Sequence, residues 1–269
     1  MGAESQYANL ISQIGGRYVT VTALIDNPNT DPHTFETSPA VAGAISSARL
    51  VVQNGLGYDG FMNRIESAAP SHLRRVIDVQ HLLGVPASES NPHLWYSPRT
   101  PPLLATAIAD ALAKVAPRHA AYFRANAQRF DRSLRPWYRA LSDLHRQHPD
   151  LPVATSEPVA NYLLGAAGAR VLTPYSLQLD IMNGTDPAPQ NITAQDELLV
   201  RQRVRAFLYN RQVTDSVTQS FLRLALAHHI PVVAVYETMP AGYDYQGWML
   251  AETRALERAA AMGVSTRSL

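Results

Sequence analysis

Two short stretches of the chain share a design built around a histidine. Residues 29–39 read NTDPHTFETSP and residues 89–98 read ESNPHLWYSP. Each has Asp or Asn, then Pro, then His, with an aromatic residue two positions on and a Ser-Pro pair closing the loop. An imidazole can ligate a metal, carry a proton or simply close a turn. Pro32 and Pro92 restrict the residue before them to extended geometry and reduce loop entropy, so His33 and His93 would be preset. Asp31, Asn91 or a backbone carbonyl could take the second ring N–H and fix the tautomer. The chain has no cysteine, so a metal would have to be held by histidine and carboxylate.

Elements must bring such residues together, and short β-rich runs alternate with helical stretches along the sequence. YVTVTALI (Tyr18 to Ile25), RLVVQN (Arg49 to Asn54) and RVIDV (Arg75 to Val79) come first; LPVATSE, ARVLTP, RAFLYN and PVVAVYE follow residue 150. The pattern predicts an α/β protein of two lobes, each a parallel sheet with flanking helices. Between them Tyr122, Phe123, Ala127, Phe130, Leu134, Trp137, Leu141 and Leu144 form one apolar stripe at helical spacing. The boundaries expected are an N-terminal lobe 1–116, a long connecting helix 117–148 and a C-terminal lobe 149–269. Unbroken, about 30 residues at ~1.5 Å each would make a ~45 Å rod, although Pro136 could kink or split it.

Open parallel sheets bind ligands beyond the carboxyl ends of their strands. That rule selects four residues, two from each lobe: His33 after the first strand, His93 after RVIDV, Glu157 ending LPVATSE, and Asp244 after the last strand. Two imidazoles and two carboxylates meeting in an interlobe cleft would make a four-coordinate site for a divalent metal. Other readings stand beside this one. Glu157 could start a helix with Ser156 as its cap, and Asp244 could be the N-cap of YQGWMLAETRALERAAA. His145, His148, His228 and His229 lie where helices should end, which suits a positive ring. His72 and His119 have no patterned context, and His81 is a spare histidine close enough to serve as an accessory ligand.

Composition excludes some partners. The formal net charge is +1 with basic residues scattered, which offers no field for nucleic acid or a membrane surface. No apolar run reaches the ~20 residues of a membrane span. MGAESQYANLISQIGG lacks the order of a signal peptide, so the chain reads either as cytosolic or as one whose export segment has been removed. Nothing demands more than a monomer.

On DPHTFETSP, NPHLWYSP, TSEPVANYL and AGYDYQGWM the chain resembles the metal-binding solute-binding proteins of bacterial ABC importers for zinc and manganese, the cluster A-I or TroA-like family. The resemblance spans the whole chain. It implies metal ligands at His33, His93, Glu157 and Asp244, a periplasmic or extracellular location with lipid anchoring left open, and an ABC permease as partner. The third ligand in that family is usually His in zinc receptors and Glu in many manganese receptors. Glu157, together with the absence of a His- and acid-rich loop between the first two ligands, leans the site to Mn²⁺, with Zn²⁺ or Fe²⁺ admitted. Asn91 stands where Asp is more usual, Pro158 follows Glu157 where a small residue is common, and there is no lipobox cysteine.

The leading expectation is therefore a non-catalytic receptor that captures a divalent metal and delivers it to a permease. The alternative is a metal-dependent hydrolase using the same residues, with Glu157 as general base. Four protein ligands close a metal site, whereas hydrolytic sites keep a position open for water.

Overall fold

The computed structural model describes residues 1–27, 38–213 and 215–269. His33 and most of the first histidine loop lie outside the described residues.

Among the described residues eight strands form two four-stranded sheets, all pairings parallel. The first contains β1 (Gly2–Glu4), β2 (Ala23–Ile25), β3 (Leu50–Gln53) and β4 (Arg75–Asp78), in the order β2-β1-β3-β4. The second contains β5 (Leu151–Thr155), β6 (Ala169–Val171), β7 (Ala206–Asn210) and β8 (Val232–Val235), in the order β6-β5-β7-β8. The interior strands β3 and β7 and the strand β8 are buried along their whole length, as expected where helices cover both faces of a parallel sheet. Edge strand β4 exposes Val76. The α/β class expected from alternating runs is the class observed.

The order reverses between β1 and β3 in one sheet and between β5 and β7 in the other. Those reversals are the switch points where the carboxyl ends of the strands open a crevice. Glu4 closes β1 and Asn54 follows β3; Glu157 lies two residues beyond β5, and Asn210 closes β7.

The chain divides into two compact units, Met1–Arg135 with Ala241–Tyr245, and Pro136–Pro240 with Gln246–Leu269. In the first, Ala3, Ile25, Ile45, Val51, Phe61 and Met62 make a core cluster under the sheet. The segment Ala241–Tyr245 belongs there because Tyr245 is tied in three ways. Its N–H donates to Asn9 Oδ1 (3.1 Å), its hydroxyl donates to the Trp95 carbonyl (2.5 Å), and its ring lies 6.3 Å from that of Phe130.

The expected connecting rod is two helices, Ala120–Ser133 and Arg135–Gln147, preceded by a 3₁₀ turn at Pro117–His119. Pro136 explains the break: it lacks the N–H an unbroken helix needs there, but is tolerated in the first turn of a new one. The apolar stripe survives the break. Phe123, Ala127, Phe130 and Leu134 are buried in the first unit, and Trp137, Leu141 and Leu144 in the second. Among the described residues no helix is long and apolar enough to cross a membrane.

Candidate metal centre

In the first unit His93 is fully buried at the mouth of a 3₁₀ turn, Leu94–Tyr96. Asn91 Oδ1 accepts the His93 backbone N–H at 3.1 Å and lies 2.7 Å from ring Nδ1. Because that oxygen already accepts one N–H, the ring nitrogen facing it must be the protonated one. The tautomer is thus Nδ1–H, with the lone pair on Nε2, the form a metal-ligating imidazole takes. Asn91 therefore takes, as a neutral acceptor, the ring N–H that a residue before the histidine was expected to take.

The ring is packed edge-on by Tyr58 and Trp95, with centroids at 6.0 and 5.3 Å. Its loop is pinned from below. The buried Asn54 carboxamide donates to the Pro92 carbonyl (2.7 Å) and accepts from the Tyr7 hydroxyl (2.6 Å). Asn54 is held in turn by Asp59, whose two oxygens accept the N–H groups of Asn54 and Gly55. Glu4 faces Asp59; burial first, then the Asp59 charge, holds the Glu4 carboxyl well above the usual carboxylate range. Burial also raises the Asp59 carboxyl, while the N–H groups of Asn54 and Gly55 oppose that shift, so Glu4 is the acid of the two that more readily keeps its proton.

In the second unit Glu157 is buried and is not a helix start: the next helix, Asn161–Ala166, begins four residues later. Ser156 is not a helix cap either, since its hydroxyl accepts the Asn210 N–H at 3.0 Å. The fully buried Asn210 donates through Nδ2 to Glu157 Oε2 (3.3 Å) and to Glu237 Oε1 (2.6 Å). Two carboxylates thus converge on one carboxamide. Gln212 locks the arrangement: its backbone N–H donates to Asn210 Oδ1 (3.0 Å), and its side-chain oxygen accepts the N–H groups of Glu237 (2.7 Å) and Thr238 (2.8 Å).

Asp244 is placed differently from Glu157. It is exposed, immediately precedes the helix Tyr245–Met262, and belongs to the first unit, where two residues from each lobe had been expected. Glu237, fully buried, is the acid that the fold brings to Glu157. A signal for it was present. Glu237 stands two residues past β8, as Glu157 stands two past β5, but PVVAVYE read as one continuous strand hides that equivalence.

His81 is 82% exposed, with Nδ1 3.3 Å from Asp78. His145 lies in a last helical turn and His228 caps another helix, as their positions predicted. Trp95, Tyr245 and Trp248 are buried packing residues. Among the described residues no three His, Asp or Glu side chains form a ready metal cluster, and His33 lies outside those residues.

Comparison with known proteins completes the picture. The family described as zinc-uptake complex component A, periplasmic (ZnuA) matches residues 3–259. The manganese-binding lipoprotein MntA of Bacillus subtilis is 25% identical over 222 residues, 78% of this chain and 70% of that protein. A putative metal-binding protein of Treponema pallidum is 22% identical over 228 residues, 78% of this chain and 71% of its own. Of solved structures, one of ZnuA matches with TM-score 0.78 and 21% identity, covering 97% of this chain and 98% of that one. The Mn-bound periplasmic metal-binding protein of Candidatus Liberibacter asiaticus matches with TM-score 0.75 and 18% identity, covering 94% and 96%. These two structures share the fold. The family match over nearly the entire length shows that the chain belongs to the ZnuA family, the metal-binding solute-binding proteins of ABC importers, and is a binding protein rather than an enzyme.

Proposed function

We propose that this protein captures a divalent transition metal outside the cytoplasm as a monomer and delivers it to an ABC permease, with Mn²⁺ favoured and Zn²⁺ or Fe²⁺ admitted. The observation that carries this reading is the pair of buried carboxylates, Glu157 and Glu237, gathered on Asn210. Burying two like charges side by side is costly unless a cation or donors compensate. His93, buried and oriented as a neutral Nε2 ligand by Asn91, is the complementary nitrogen donor. The candidate ligands are His33, His93 and Glu157, with Glu237 set beside Asp244 for the fourth place. Glu237 is the stronger candidate because it is buried and oriented. Two carboxylates harden the site toward Mn²⁺, while the Irving–Williams order still lets Zn²⁺ bind it. The name of the B. subtilis relative, a manganese-binding lipoprotein, supports the same lean.

The hydrolase alternative falls with family membership. The test is thermal unfolding of metal-stripped protein with Mn²⁺, Zn²⁺ and Fe²⁺ added in turn. An ion binding only the folded state at a hundred times its dissociation constant adds ~2.7 kcal/mol. His33→Ala should abolish that shift. A wild type that no divalent metal stabilises would overturn the reading.

A further inference from the structure

We propose that Asn210 is a positioning residue that sets how many oxygens the carboxylates give the metal, and so restrains the site's preference for Mn²⁺ over Zn²⁺. This inference rests on the metal-receptor reading with Glu157 and Glu237 as ligands.

The orientation of the carboxamide is fixed by its surroundings. Oδ1 accepts the Gln212 N–H, so the end facing the two acids is the NH₂ group. That group has two N–H bonds, and they go to Glu237 Oε1 and Glu157 Oε2. The contact to Glu237 at 2.6 Å is short, as charge-assisted bonds are, and the one to Glu157 at 3.3 Å is long. Gln212 also holds the backbone of Glu237 and of Thr238, which keeps the base of the Glu237 side chain beside the amide. Asn210 itself cannot shift, because its own N–H is bound to Ser156 and it is wholly buried.

An oxygen engaged by a strong N–H bond is a poorer metal donor than its partner on the same carboxylate. Asn210 therefore biases Glu237, and more weakly Glu157, toward binding through one oxygen. Carboxylates that each give one oxygen keep the shell small, and a small shell of four is the one Zn²⁺ adopts. A larger oxygen-rich shell is what Mn²⁺ prefers. The two acids pull the site toward Mn²⁺, and Asn210 pulls it back.

The experiment measures Zn²⁺ and Mn²⁺ dissociation constants by chelator competition for wild type, Asn210→Leu and Asn210→Ser. Loss of a contact of this kind weakens metal binding by about 10- to 100-fold. Here the loss should fall on Zn²⁺, with Mn²⁺ kept or strengthened, so that the ratio of Zn²⁺ to Mn²⁺ affinity drops about tenfold or more in both variants. An unchanged ratio in a folded variant overturns the inference and leaves the receptor reading standing. X-ray absorption on metal-loaded wild type decides the matter even if both variants fail to fold. Four nitrogen and oxygen ligands around Mn²⁺ support the proposal, and a shell of six or more with both carboxylates chelating refutes it. If wild type binds neither ion, the receptor reading and this inference fail together.

Discussion

Asn210 and Glu237 are joined at 2.6 Å, between the last residue of β7 and a residue just beyond the neighbouring strand β8. The register explains why they meet: Asn210 pairs with Val235, two residues before Glu237. This contact sets Glu237 beside Glu157 on one carboxamide.

The first prediction separates the two acids. Glu237→Ala should remove most of the thermal stabilisation that Mn²⁺ or Zn²⁺ gives, ~2.7 kcal/mol at a hundredfold excess over the dissociation constant. Asp244→Ala should leave that stabilisation nearly intact, because Asp244 is exposed and outside the carboxylate pair. Differential scanning fluorimetry of the two variants checks this. The reverse pattern would return Asp244 to the fourth place.

Much of this architecture could be read from sequence, and the failures share a cause. The buried strands β3, β7 and β8 announce themselves as apolar runs, and His93 by its proline-bound loop. Strand β1 did not: GAE is three residues long and becomes a strand only by pairing with β2 and β3 on either side. Glu237 shows only its place after a strand in the sequence; its pairing with Asn210, 27 residues away, is visible only in the fold. At Asp244 the local segment suggested a ligand, and the structure places that residue exposed and in the first unit. Non-local hydrogen bonds decide these cases, and one-dimensional patterns do not carry them. The first loop, with His33, lies outside the described residues.

A second prediction concerns the imidazole. Asn91 fixes the His93 tautomer through one oxygen. Asn91→Leu should weaken metal binding about 10- to 100-fold, the usual effect of losing a partner to a ligating histidine. Asn91→Asp keeps the acceptor and should bind at least as tightly as wild type. Competition titration with a chromogenic chelator reads both. Equal affinity in the Leu variant would show that the loop alone orients the ring.

A third follows from the buried acid pair. Burial, and then Asp59, raise the folded pKa of Glu4 well above 4.5. A folded state that holds this proton more tightly than the unfolded chain is favoured at low pH. The contribution is fully present below the unfolded pKa and is lost as pH rises through the folded one. Glu4→Gln keeps the shape of the side chain but does not titrate. The metal-free variant should therefore lose less stability than wild type as pH rises from the unfolded carboxylate range, about 4.5, through the folded pKa of Glu4. Parallel thermal unfolding curves across that range would exclude Glu4 as the source of the pH dependence.

The last prediction tests what the third ligand contributes to selectivity. Glu157→His replaces a hard, charged oxygen donor by a neutral nitrogen of borderline softness, so Mn²⁺ should lose more affinity than Zn²⁺. The geometry adds a second consequence. Asn210 would keep Glu237 as its carboxylate partner but lose the long contact to Glu157, so the tighter of its two bonds survives. The shell should then stay small, which again favours Zn²⁺. Both effects act in one direction, and the variant should bind Zn²⁺ with a larger advantage over Mn²⁺ than wild type shows. Paired titrations give the two ratios. A variant that keeps the wild-type ratio would mean that Glu157 does not touch the ion, and that the carboxylate pair is held by Asn210 for a structural reason alone.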